Sequence, residues 1–219
     1  MMIFSRKACS PFLTIIYMCN IVCITNRNIC PDNFLDRIEN IAKQNPAAIV
    51  LREKDMNEKD YIQLCEKVMK ICEKHNVKCI LHSFYDAAVS LNCTSIHLPI
   101  PVLQKLDNEK KSRFSEIGTS CHSIEDAVFA EKTGCSYIIA GHIFETDCKK
   151  GVAPRGLDFL RKVCESISIP VYAIGGINHA NFPQILQAGA KGGCVMSGLM
   201  RCGDIKKYMS DFKNDNICR

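Results

Sequence analysis

Eight short apolar runs, separated by stretches with helical spacing, constrain this chain more than any other feature. The runs are IVCIT (21–25), AIVL (48–51), KCIL (78–81), SIHL (95–98), EIGTS (116–120), YIIA (137–140), PVYAI (170–174) and GCVMS (193–197). Segments near 33–44, 58–75, 84–91, 102–113, 124–132, 156–167, 181–188 and 204–213 carry the helical pattern. Alternation of this kind is the signature of parallel strands joined by helices. An open doubly wound sheet usually has about five or six strands at such a length, so eight strand–helix pairs in 219 residues favour a closed (β/α)8 TIM barrel. The expected organisation is a single barrel domain over residues 19–219, preceded by an N-terminal extension over 1–18.

The start of the chain imitates a targeting segment. Arg6 and Lys7 precede the apolar stretch FLTIIYMCNIVCIT (12–25), but no small-residue cleavage site follows, and the stretch falls short of the ~20 residues that span a bilayer. A cytoplasmic protein without a membrane partner is expected. The net charge of +5 is modest and the 28 cations are scattered, which disfavours a nucleic-acid surface and leaves enough charge for a small anionic ligand. Fifteen cysteines lie within helical and strand patterns, odd in number and with no C-x-x-C pair. They read as reduced thiols rather than a disulfide scaffold. Cys65, Cys72 and Cys79 recur every seven residues without the partners of a zinc site, so no metal is expected. A homo-oligomer is compatible with the sequence.

In a barrel of this type the loops that follow the strands carry the active site. That filter selects Arg52, Glu53 and Lys54; His82 and Ser83; Pro99; Cys121, His122 and Ser123; the stretch 141–150; Gly175 to Asn178; and Ser197 with Gly198. Glycine-rich loops after the seventh and eighth strands can point backbone N–H groups at an anion. As isolated features Gly175, Gly176 and Gly198 would be plain turn residues; as two adjacent loops they favour a phosphate site. Arg52 and Lys54 alternate around Glu53, so both can face the mouth while Glu53 points away. Of Lys149 and Lys150, one can bind and the other be solvated. His122 follows the fifth strand, just before the helix-capping pattern S-x-E-D (123–126), and an imidazole there can take and return a proton. His142 and His82 are further mouth residues, His97 belongs to the core, and His75 and His179 to the surface.

The motifs LREK (51–54), IHL (96–98), SCHSIEDA (120–127), F-x-T-x-x-K (144–149), AIGGI (173–177) and VMSG (195–198) resemble the thiamine phosphate synthase/TenI family over about residues 20–205. The string GHIFETDCKKG (141–151), followed by RG (155–156), looks like the thiazole tautomerase branch, because the synthase branch usually has proline where His142 stands. The resemblance implies an isomerase of thiamine biosynthesis that needs neither metal nor cofactor and aromatises a carboxythiazole phosphate by proton transfer. It implies His122 as general acid/base and Arg52 and Lys54 as holders of the carboxylate. Gly176, Ser197 and Gly198 would bind phosphate through backbone amides, with Thr146 and Lys149 closing the other side. The alternative is a synthase that joins hydroxymethylpyrimidine pyrophosphate to thiazole phosphate. The family resemblance implies a Mg²⁺ for it, on an aspartate in an Asn-Asp pair after strand three and another shortly after strand four. His82–Ser83 and Val102 occupy those positions here, and Mg²⁺ prefers carboxylate oxygen. A non-catalytic regulator that binds a related phosphate is the third reading.

Overall fold

Successive residues of a strand point to opposite faces, so a strand inside a ring of helices must be apolar on both. The computed structural model of the protein describes residues 20–214. The extension expected over 1–18 lies outside the described residues. The strands are β1 (Ile21–Ile24), β2 (Ala48–Leu51), β3 (Cys79–His82), β4 (Ser95–Leu98), β5 (Glu116–Cys121), β6 (Tyr137–Gly141), β7 (Val171–Ile174) and β8 (Gly192–Val195). They close into a parallel barrel in chain order, with Val22 of β1 opposite both Ala48 of β2 and Cys194 of β8.

Parity along the strands creates two cores. Val22, Ile24, Ala48, Val50, Ile80, Ile139 and Cys194 fill the barrel interior together with Tyr137. Gly118 on β5 leaves room for that ring, since a Cβ there would overlap the Tyr137 side chain. The opposite parity, Ile21, Ile49, Leu51, Leu81, Ile96, Leu98 and Ile138, packs outward against the helices. These are α1 (Phe34–Ala42), α2 (Glu58–Lys74), α3 (Tyr85–Ser90), α4 (Ile100–Leu103), α5 (Asn108–Lys111), α6 (Ile124–Lys132), α7 (Gly156–Ser166), α8 (Phe182–Gln187), α9 (Ser197–Arg201) and α10 (Ile205–Asn214). Asn33, Asn57 and Ser123 cap α1, α2 and α6 by accepting from first-turn amides, which would otherwise lack partners.

Two expectations need correction. The segment 102–113 is not one helix: α4 stops at Leu103, and the Asp107 carboxylate accepts from the Lys110 amide to start α5 afresh. The eighth strand ends at Val195, not at residue 197, and Ser197 opens α9. A buried arginine ties this short helix to the barrel wall. Arg37 of α1 donates through Nη1 to the carbonyls of Leu199 at 3.2 Å and Cys202 at 2.7 Å, and pairs with Asp32. The described cysteines are all free, and burial pushes thiols such as Cys121 up to about 12. Among the described residues no helix is long and apolar enough to cross a membrane.

Candidate active site

The C-terminal ends of the strands surround a cavity of about 680 Å³. Arg52, Lys54, His122, Thr146, Lys149, Gly176, Ser197 and Gly198 all line it. Strand parity explains the pair after β2. Arg52 and Lys54 reach the cavity, while the intervening Glu53 turns into the wall and accepts from Thr25 Oγ1 at 2.6 Å and from the Arg27 amide at 3.0 Å. Among the described residues Arg52, Lys54 and Lys149 form no ion pair; burial holds Arg52 below its ordinary pKa, and burial, then Arg52 and Lys149, do the same to Lys54. Three cations unpaired around one cavity suit an anionic ligand. Lys150 instead points away, 81% exposed and 3.7 Å from Asp147.

His122 is held from two sides. Its amide donates to Asp126 Oδ2 at 2.8 Å, while the Asp126 amide donates to Ser123 Oγ at 3.0 Å, a reciprocal cap that ties the end of β5 to the first turn of α6. Its Nδ1 lies 2.8 Å from the Gly141 carbonyl oxygen. A carbonyl only accepts, so Nδ1 carries the proton and, in the neutral ring, Nε2 keeps a lone pair. Asp126 is the one carboxylate among the lining residues, and it is engaged by the His122 amide.

The floor is richer in imidazole than the sequence suggested. His97, expected in the core, is 2% exposed, yet its ring meets the cavity. It bridges Tyr137 Oη at 3.1 Å and Ser120 Oγ at 2.9 Å. His82 stacks on it at 5.6 Å between ring centroids. His142 donates through Nε2 to the Val152 carbonyl at 3.2 Å, leaving its buried Nδ1 without a partner. Ser120 and His97 lie within strands and so escape a filter on the loops that follow them; their partners sit on neighbouring strands, and periodicity carries no signal of that.

Gly175 and Gly176 serve the cavity through their neighbours. Both have positive φ, and a Cβ on Gly175 would overlap His142, while one on Gly176 would overlap the Glu145 carbonyl. These glycines let the β7 loop lie flat on the β6 loop. On the far side Met196, before α9, offers no side-chain cap to the helix, whose first residues Ser197 and Gly198 line the cavity. Cys121 packs outward and Ser123 caps α6, so neither reaches the ligand space. No cluster of three or more His, Cys, Asp or Glu that could hold a metal occurs among the described residues.

The profile of the thiamine monophosphate synthase family (TMP-TENI) matches residues 21–199. The thiamine-phosphate synthase of Clostridium acetobutylicum is 31% identical over 187 residues, covering 84% of this chain and 88% of its own. That of Fusobacterium nucleatum is 32% identical, covering 90% and 98%. Among solved structures, thiamine phosphate pyrophosphorylase from Pyrococcus furiosus superposes with a TM-score of 0.78 at 27% identity, over 89% of this chain and 93% of that one.

Proposed function

The chain belongs to the thiamine monophosphate synthase (TMP-TENI) family, and from that premise we propose that it acts in thiamine biosynthesis as a metal-independent thiazole tautomerase. The observation that carries this reading is the fixed tautomer of His122. With Nδ1–H held by the Gly141 carbonyl at 2.8 Å, Nε2 is free to act as a base at the mouth of a cationic cavity. It takes the proton from the ring carbon that bears the carboxylate. The imidazolium so formed keeps its Nδ1–H bond to Gly141 and returns the proton to the exocyclic carbon, which leaves the ring aromatic. Arg52 and Lys54 hold the carboxylate and offset the negative charge that develops as the proton leaves. Backbone amides of Gly176, Ser197 and Gly198, with Thr146 and Lys149, hold the phosphate and so position the reacting carbon.

The residues present do not fit a Mg²⁺ site. At the positions where the resemblance implies aspartates stand His82–Ser83 and Val102. The Ser83 hydroxyl is engaged with His82 at 2.6 Å, and valine has no oxygen to offer beyond its backbone. The names of the relatives favour the second reading, a synthase that joins the pyrimidine and thiazole halves. One experiment separates the two. The purified protein is given the isomeric carboxythiazole phosphate with a chelator present, and aromatisation and proton exchange are followed. Turnover that ignores the chelator is expected. Release of pyrophosphate from the two thiamine halves only with Mg²⁺, and no aromatisation, would replace this reading with the synthase; neither reaction would leave a phosphate-binding regulator.

A further inference from the structure

His82 is a cavity residue to which the proton transfer gives no task. Its backbone amide donates to Tyr61 Oη at 3.0 Å, and that hydroxyl donates to the Leu51 carbonyl at 2.6 Å, which clamps the end of β3 from outside. Ser83 beside it has φ +68, a left-handed conformation that is uncommon away from glycine, and its amide donates to the His97 carbonyl at 3.0 Å. This turn sets the Ser83 hydroxyl 2.6 Å from His82 Nδ1. The ring is further fixed by its stack on His97, with 19° between planes. The other nitrogen, Nε2, bonds no described residue, and the residue, 7% exposed, lines the cavity.

We propose that His82 is a substrate-binding residue whose Nε2 hydrogen-bonds a ring heteroatom of the bound heterocycle, so that it selects ring-bearing phosphates over simple ones. The inference rests on the thiazole phosphate reading of the cavity. Charge supports the assignment. A cation at this place would repel Arg52 and Lys54, and an anion would pair with them and withdraw them from the ligand. Burial, reinforced by His97, Arg52 and Lys54, holds the ring neutral, with its pKa down at about 2. The cations and backbone amides then read the anionic groups, and one neutral, directional group reads the ring.

The test compares binding of 4-methyl-5-(2-hydroxyethyl)thiazole phosphate with that of ethyl phosphate by calorimetry, in the wild type, His82→Ala and His82→Gln. The wild type is expected to prefer the thiazole. His82→Ala should lose about fivefold of that preference, the worth of one net hydrogen bond, while ethyl phosphate binds as before. Glutamine can place its amide nitrogen near the site of Nε2, so His82→Gln should keep most of the preference; if the alanine variant does not fold, His82→Phe, which keeps a ring to stack on His97 but has no nitrogen, takes its place and should lose the preference. Equal weakening of both ligands, or an unchanged preference, in the variant that lacks the nitrogen overturns the role of His82 and leaves the cavity reading standing. A wild type that binds both ligands alike removes the thiazole phosphate reading, and this inference with it.

Discussion

Gly141 accepts the only proton a neutral His122 carries, so the lone pair of Nε2 is set by a backbone carbonyl and not by a second titrating side chain. His122→Ala should therefore retain ligand affinity and lose turnover by roughly two to four orders of magnitude. Proton exchange at the ring carbon reads this directly, and an exchange rate equal to wild type would reject the role. At Gly176 the expectation concerns shape. Its φ of +67 and the nearby Glu145 carbonyl give alanine no relaxed position, so Gly176→Ala should cost at least about 1–2 kcal/mol in urea unfolding and weaken phosphate binding. No loss of stability would mean that the β6 and β7 loops move apart freely. Arg52, Lys54 and His122 were legible as residues of the cavity mouth because a strand end in a barrel has a known destination. The Tyr137–His97–Ser120 chain was not: its members are joined only when β4, β5 and β6 lie side by side, and no local pattern in the sequence records that.

At the level of elements, the strands were readable because a buried parallel strand must be apolar on both faces, whichever residues supply the apolarity. The helices were less so where length ran out. Nothing periodic marks the break between α4 and α5, and the cap at Asp107 restarts a turn that the spacing alone would have continued. The five residues of α9 are too few for a helical period to show. What holds α9 is a tertiary contact, Arg37 on its last carbonyls, where a cation also complements the helix dipole. Arg37→Met keeps much of the buried stem and removes the donors. It should lower stability by about 2 kcal/mol, the scale of hydrogen bonds from a charged group, and raise the KM for phosphorylated substrate several-fold with a smaller effect on kcat. A fall in the urea midpoint with KM unchanged would show that the packing of Leu199 and Met200 alone orients α9.

The barrel as a whole couples its stability to pH through the imidazoles that it closes over. Burial is the main cause that lowers His82 from an ordinary 6.5 to about 2, and His97 to about 3, with Arg52 and Lys54 acting in the same direction on both. Unfolding exposes these rings to water, where each takes up a proton near pH 6.5. Between that value and the folded ones the unfolded chain holds more protons than the native one, so stability rises with pH across the interval. The contribution is complete above about pH 6.5 and is lost progressively as the pH falls toward 3. Carboxylates enter later. Glu39, lowered from 4.5 to about 2 mainly by its hydrogen bonds from Lys74 and His75, gives up its contribution only below about pH 4.5. The range from pH 4.5 to 6.5 therefore isolates the histidines. Each depressed ring contributes a slope approaching about 1.4 kcal/mol per pH unit, so the urea midpoint should fall steadily from pH 7 to pH 5. His97→Asn removes one of the two titrations while leaving a side chain able to hydrogen-bond, and it should shed about half of the slope these two rings supply. A wild-type midpoint that stays level over this range would mean that the rings take up protons in the folded barrel, and that its upper interior admits charge.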